Sequence, residues 1–246
     1  MQKKAAVITG AAQGISESIT RKLCESGFAA AALDINRVKA EAFAEELNAA
    51  GFQADVFQID VSNVKEIRKT VTAIFEKHGR IDVLVNNAGI LHTTPIEDIS
   101  EEEWDRIMAV NLKSVFFMSQ AVIKYMKEAG GGRIINISSL AGRMGGIANG
   151  VAYAASKAGI LGLSKALATR LAPHKINVNA IAPGTTETDI IRQFSCEKIE
   201  SLCAGIPLKR LGLPWEIAAL ADFLASDSAG FITGAVFDIN GGQYIA

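Results

Sequence analysis

The chain has 246 residues, 49% of them hydrophobic, and a formal net charge of −1. That length closes one large core without disulfide or metal, and the near-neutral charge gives nucleic acid or an anionic membrane no electrostatic hold. Cys24, Cys196 and Cys203 are odd in number and lack metal-type spacing, which predicts reduced thiols and no metal site. The apolar stretch after Lys3 and Lys4 stops at Gly10, too short for a signal-peptide core or a membrane span. A soluble, cytoplasmic protein is expected.

Residues 5–9 form the first predicted strand and run into Thr9-Gly10-Ala11-Ala12-Gln13-Gly14-Ile15-Ser16. A strand, a glycine turn and a helix start place free backbone N–H groups and a positive helix end beside a phosphate. Gly10 permits the turn, and Gly14 lets a pyrophosphate approach the backbone. Ile15, Ile19 and Leu23 then recur every four residues as a helical stripe. The second strand, 29–34, closes on Asp34, 20 residues after Gly14. A carboxylate there accepts hydrogen bonds from both hydroxyls of an adenosine ribose and repels a 2′-phosphate, which favours NAD over NADP. A strand-end Asp that only caps the next helix is the plainer reading.

The third strand, 54–59, ends at Asp60-Val61, within reach of an adenine edge. Ser62 reads as the cap of a helix carrying Val64, Ile67, Val71 and Ile74. The fourth strand, 83–86, ends at Asn86-Asn87-Ala88-Gly89, where side-chain amides brace neighbouring strands and small residues leave room for a cofactor. Ser100 and Glu103 have the spacing of a capping box. Strands are also predicted over 133–138, 177–182 and 235–239. Such apolar strands alternating with helical patterns imply a parallel sheet buried on both faces, in one Rossmann-type doubly wound α/β domain over 1–246. Ligands bind at the carboxyl ends of such strands, where the short motifs above fall.

Tyr153 and Lys157 stand four apart in a helical run and project from one face, with Ser139 upstream at a strand edge. A phenol titrates near ~10 and exchanges protons poorly at neutral pH; a fixed ammonium stabilises the phenolate and draws that value down. A serine hydroxyl then holds a substrate oxygen against the phenol. The set suits proton exchange with an alcohol or ketone.

In order, Thr9-Gly10…Gly14-Ile15, Asp60, Asn86-Asn87-Ala88-Gly89, Asn111, Ser139, Tyr153…Lys157 and Pro183-Gly184 resemble the short-chain dehydrogenase/reductase superfamily over almost the whole chain. The resemblance implies a seven-stranded sheet, a homotetramer, and hydride transfer between a nicotinamide and a carbonyl or secondary alcohol. It implies Tyr153 as general acid/base, Lys157 as the group that lowers its pKa and holds the nicotinamide ribose, and Ser139 as the residue that polarises the substrate oxygen. Asn111 would hold a water relaying protons from Lys157. Cofactor contacts are implied at Gly10, Gln13, Gly14, Ile15, Asp34, Asp60, Val61, Asn87, Ala88, Gly89, Pro183, Gly184 and Thr188. Ser139 is preferred to Ser138 because it stands three before Gly142, the spacing of similar proteins.

Two positions depart from the family pattern. Ser16 stands where the third turn glycine usually sits; cofactor binding is expected to survive, weakened. The segment from Ser139 to Tyr153 is one residue longer than in many relatives, which reshapes a loop at 145–150.

Substrate contacts are expected from His92, Arg143, Ile147 and Arg192, among a wider set that includes Leu91, Leu140, Thr185, Glu187 and Phe194. Residues 185–206 read as a mobile helical lid. NAD is kept largely oxidised in cells, so the first reading is a dehydrogenase of a small polar hydroxy compound: a polyol, sugar or sugar acid. The alternative is a 3-oxoacyl-[acyl-carrier-protein] reductase, which commonly uses NADPH and needs a basic face that Lys124, Lys127, Arg170, His174 and Lys175 can supply. A non-catalytic NAD-binding module is the reading from a different class. Small residues on the helix from Tyr153 (Ala154, Ala155, Ala158, Gly159, Gly162, Ala166) predict helix-paired dimers, doubled through the C-terminal strand and tail.

Overall fold

The computed structural model describes residues 3–145 and 150–246. Ile147, expected at the substrate loop, lies outside the described residues. Seven parallel strands form one sheet in the order β3-β2-β1-β4-β5-β6-β7. They are β1 (Ala5–Thr9), β2 (Ala29–Asp34), β3 (Ala54–Gln58), β4 (Val83–Asn86), β5 (Gly132–Ile137), β6 (Ile176–Pro183) and β7 (Val236–Ile239). All seven predicted strands are present, with ends shifted by a residue at most. The chain direction of the order reverses between β1 and β4, the switch point at which open α/β sheets bind ligands.

Alternation along each strand supplies two cores. Ala6 and Ile8 of β1, Val83 and Val85 of β4, and Ile135 and Ile137 of β5 face one layer. There they meet Ile19 and Leu23 of α1 (Gly14–Glu25), Phe43 and Leu47 of α2 (Arg37–Ala49), and Ile217 and Leu224 of α10 (Pro214–Ala225). Val7, Leu84 and Ile134 point the other way, onto α3 (Val64–His78), α5 (Ser114–Glu128) and α7 (Val151–Leu171). The run of alanines in β2 is buried on both sides. Full burial of β1, of β4 and of the β2 alanines explains why these central segments read as continuous apolar runs.

Helix starts follow local chemistry. Asn63, not Ser62, caps α3, accepting from the N–H groups of Lys65 and Glu66. Ser62 bonds the Asp60 carboxylate instead, through its N–H at 2.9 Å and its hydroxyl at 2.7 Å. Ser100 caps α4 (Glu101–Met108) by accepting from Glu103 N at 3.1 Å. The Glu103 carboxylate is drawn away to Thr94, whose hydroxyl donates to it at 2.7 Å, so only half of the predicted capping box forms. Between α4 and α5 the helix loosens into a π-turn, Ala109–Lys113, which carries Asn111. Residues 185–206 contain two short helices, α8 (Asp189–Arg192) and α9 (Cys196–Ala204), and α9 has no fully buried residue.

Candidate active site

The glycine turn leaves β1 with Gly10 at φ +68° and Gly14 at φ +61°, values that side chains rarely tolerate. A Cβ on Gly10 would stand 3.1 Å from Ala88 Cα, so this glycine is needed where β1 and the Ala88 backbone converge at the switch point. Thr9 fixes that convergence: its hydroxyl oxygen accepts from Asn87 N at 3.0 Å and Ala88 N at 3.1 Å. Gln13 precedes α1 without a side-chain cap, leaving the first-turn N–H donors of α1 open to an anion. Ile15 follows in the first turn. Asp34 turns its carboxylate toward this loop, accepting from Ala12 N at 3.0 Å and Asn36 N at 2.8 Å. Asp60 commits one oxygen to Ser62, with Val61 buried behind it.

Ser16 is fully buried, and its hydroxyl donates to Thr9 O at 3.0 Å. The side chain therefore faces the strand end rather than the mouth of the glycine turn, and it supplies a partner for a carbonyl at the point where the chain leaves β1. The residues around the turn thus fit a dinucleotide: an uncapped helix start, two left-handed glycines and a carboxylate at the second strand end.

The catalytic candidates converge from three elements. Ser138 and Ser139 leave β5 together and separate in role. The Ser138 hydroxyl donates to Lys157 O at 2.7 Å and is buried, while Ser139 hydrogen-bonds Tyr153. Gly142, in the short α6 (Ala141–Met144), lies directly on α7; a Cβ there would be 2.7 Å from Lys157 C. That close approach brings Ser139 to Tyr153. Lys157 is buried, and its ammonium donates to Ile137 O at 2.9 Å, 5.6 Å from the centre of the Tyr153 ring. Burial lowers the Lys157 pKa to about 8. Burial also pushes the Tyr153 phenol above its usual value, and the Ser139 hydrogen bond opposes the rise. The lysine does not lead that balance, contrary to the simple sequence expectation, because its charge is itself disfavoured by the same burial.

Asn111 sits beside them in the π-turn. It accepts from Ile90 N at 2.8 Å and donates to Ile90 O at 2.8 Å and Ser156 Oγ at 3.1 Å. Both amide hydrogens are committed, so a water relay would have to use the remaining lone pair of Oδ1 or a backbone carbonyl. Gly89 lies between this residue and the lysine: a Cβ on it would meet Asn111 Oδ1 at 3.4 Å and Lys157 Nζ at 3.6 Å. Ser156 in turn donates to Tyr153 O at 2.7 Å. Pro183 ends β6, Gly184 packs on Asn240, and Thr188 lies over Gly14.

The expected substrate residues are placed differently. His92 is buried, 3.3 Å from Glu103, with its ring against Gly150, the residue that precedes α7. Arg143 makes a two-point contact with Asp238 at 3.0 and 2.9 Å. Arg192 pairs with Glu187 at 3.1 Å and Asp189 at 3.6 Å within its own segment. Arg143 and Arg192 are each committed to carboxylates, Arg143 to one far along the chain and Arg192 to close neighbours in its own segment, and the buried His92 ring stands beside Glu103. Sequence reasoning placed Gly150 in the reshaped loop but missed Ser156 and Asp238; only Ser156 carried a signal, its place between Tyr153 and Lys157.

A Rossmann-type sheet with a Ser–Tyr–Lys set at its carboxyl edge defines a nicotinamide oxidoreductase of the short-chain type. The family model for short chain dehydrogenases matches residues 4–198, and the chain belongs to that family. It is 39% identical over 247 aligned residues to the 3-oxoacyl-[acyl-carrier-protein] reductase FabG of Thermotoga maritima, covering 100% of this chain and 99% of that one. The FabG protein of Pseudomonas aeruginosa is 39% identical over 246 residues, with 100% and 99% covered. Among solved structures, gox2181 superposes with a TM-score of 0.94 at 34% identity, covering 99% of this chain and 96% of that one. The chain is therefore an oxidoreductase acting on CH–OH groups, similar to 3-oxoacyl-[acyl-carrier-protein] reductases.

Proposed function

We propose that this protein reduces a 3-oxoacyl thioester to the 3-hydroxyacyl form at the expense of a nicotinamide cofactor. The observation that carries the reading is likeness to such reductases along the whole chain, lid and C-terminal strand included. It moves this activity ahead of the polyol or sugar dehydrogenase that the sequence first favoured.

Asp34 supports NAD(H) as the cofactor, since its carboxylate faces the glycine turn and repels a 2′-phosphate. The phosphates would lie against Gly10, Gln13, Gly14 and Ile15, the adenine beside Asp60 and Val61, and the nicotinamide end among Asn87, Ala88, Gly89, Pro183, Gly184 and Thr188. A bound nicotinamide supplies the hydride. Ser139 holds the ketone oxygen, and Tyr153 Oη delivers the proton to it as charge develops there. Lys157 has two ammonium hydrogens beyond the one given to Ile137 O, enough to reach a ribose hydroxyl and the phenol side. Asn111 keeps Ser156, and through it the Tyr153 turn of α7, in place. Residues 185–206 act as a lid over cofactor and substrate.

The protein is read as a cytoplasmic homotetramer. Lys124, Lys127, Arg170, His174 and Lys175 adjoin the starts of β5 and β6, with Gly132 N donating to Lys175 O. Within one chain they lie at the opposite sheet edge from Tyr153. They serve a carrier protein only if a second copy, packed antiparallel along α5 and α7, brings them to its neighbour's site.

A small polar alcohol remains the second reading, favoured by Asp34 and an NAD pool kept oxidised. The deciding experiment compares NADH and NADPH in the reduction of a short 3-oxoacyl thioester by the wild type and Asp34→Ala. Turnover with NADH, and a preference that falls at least about tenfold in the variant, is the expected result. NADH binding without thioester turnover gives the polyol reading first place, and an unchanged nucleotide ratio removes Asp34 from the ribose.

A further inference from the structure

The carboxyl ends of β5, β6 and β7 are stitched together by backbone bonds: Leu140 N donates to Pro183 O at 2.8 Å and Gly184 N to Ile239 O at 2.9 Å. The Arg143 side chain spans this seam. Arg143 leaves the helix after Ser139, crosses the end of β6 and reaches Asp238 on β7, donating Nε to Oδ1 at 3.0 Å and Nη2 to Oδ2 at 2.9 Å. Its guanidinium also lies 5.5 Å from the centre of the Tyr244 ring. Both side chains are only 18% and 20% exposed, and two parallel bonds fix the guanidinium plane. Asp238 as a whole residue is exposed, so it is the two-point geometry rather than burial that separates this pair from an ordinary surface contact, which contributes little.

The tail that Arg143 grips continues to the lid. Asn240 folds it back, accepting from Gly242 N at 2.9 Å and donating to Tyr244 O at 3.2 Å. Gly241 and Gly242 take φ of +63° and +90° and lie against Ile206 and Pro207, where the lid ends, and Leu208 N donates to Gly241 O at 3.1 Å. One continuous path therefore joins Ser139, Arg143, the tail and residues 206–208 at the end of the 185–206 segment.

We propose that Arg143 is a positioning residue: through Asp238 and Tyr244 it holds the Ser139 segment and the C-terminal tail in one register, coupling lid position to the placement of the catalytic serine. It does not bind the substrate. The inference rests on the Ser139–Tyr153 site proposed above, and it separates cleanly from the alternative of an arginine that recognises an anionic substrate. An anion receptor would be lost with Arg143 alone; a strut is lost equally with Asp238.

The test uses Arg143→Ala, Arg143→Lys, Asp238→Asn and the exchanged pair Arg143→Asp with Asp238→Arg. Each is assayed with a charged thioester and a neutral ketone, alongside NADH affinity and amide hydrogen exchange. Arg143→Ala and Asp238→Asn are expected to lower kcat/KM by a similar factor, ~10-fold or more, on both substrates, with NADH affinity within about twofold. Arg143→Lys should recover little, since one ammonium cannot make both bonds, and the exchanged pair should recover part. In Asp238→Asn, exchange should quicken together at 140–145, 206–208 and 240–244. Selective loss of the charged substrate in Arg143→Ala, with Asp238→Asn unchanged, overturns the proposal. So does faster exchange confined to one side of the path. If the wild type reduces neither substrate, the functional reading fails and the exchange measurement alone still decides the strut.

Discussion

Tyr153 and Lys157 share one burial and pay for it in opposite senses. The phenol is pushed up and the ammonium down, to about 8. Tyr153→Phe removes the donated proton and leaves the cofactor walls untouched. Turnover should fall by ~10²–10⁴-fold while NADH affinity, read by fluorescence titration, stays within about twofold. Below pH 8 both folded and unfolded forms carry the Lys157 proton, and the folded state bears the full cost of the buried charge. Between about 8 and the ordinary lysine value of 10.5 the unfolded chain binds more protons, so stability rises with pH across that window. Lys157→Met should therefore stabilise the protein at pH 7 by up to about 3 kcal/mol, less about 1 kcal/mol for the Ile137 carbonyl left without its donor. Thermal melts at pH 7 and pH 10 check this; the gain should shrink at the higher pH.

At the scale of elements, the site depends on how closely α6 and the β4 loop approach α7. Gly142 has no room for a methyl group because the Lys157 backbone occupies it at 2.7 Å. Gly142→Ala must push Ser139 away from Tyr153. A loss of about 1–3 kcal/mol in stability and a kcat drop of ~10²-fold are expected, measured by denaturant unfolding and steady-state kinetics with NADH binding retained. These contacts were hidden in the sequence. The Tyr153–Lys157 spacing announced a helical face, but nothing in a serine–glycine spacing states which backbone the glycine must touch. In the half-formed capping box Ser100 obeys its local rule, whereas Glu103 is claimed by Thr94, 9 residues back in the segment that leads into α4.

Over the whole molecule, two apolar exposures lie away from the cofactor site. Val151, Ala155, Ala158, Gly162 and Ala166 form an exposed stripe of small residues on α7, with Phe116 of α5 and Trp104 of α4 also exposed. Ala154 and Gly159, expected in that stripe, are turned inward: Ala154 is buried, and Gly159 lies against Leu112. At the other end Trp215, Phe223, Phe231 and Ile245 are exposed around α10, β7 and the tail. Two such faces are what a tetramer of paired dimers requires. Sedimentation of the wild type should give four times the 26.1 kDa chain mass. Ala158→Arg, which places a charge in the small-residue stripe, should halve the assembly; a monomeric wild type at micromolar concentration would refute the reading.

The sequence by itself determined the sheet, the order of the cofactor motifs and the Ser139–Tyr153–Lys157 set. Strand alternation, glycine turns and helical spacing are local constraints, written in residues close along the chain. It could separate Ser139 from Ser138 only through the distance to Gly142, for which the packing on Lys157 supplies the reason. What the tertiary structure alone decided was where each charged side chain found its partner. His92, Arg143 and Arg192 look like substrate cations in sequence, yet the fold brings Glu103, Asp238 and Glu187 to them. Of the three pairings only Arg143–Asp238 joins elements far apart in the chain, α6 and β7, 95 residues apart, and no period or motif encodes a contact that exists only after the sheet has closed.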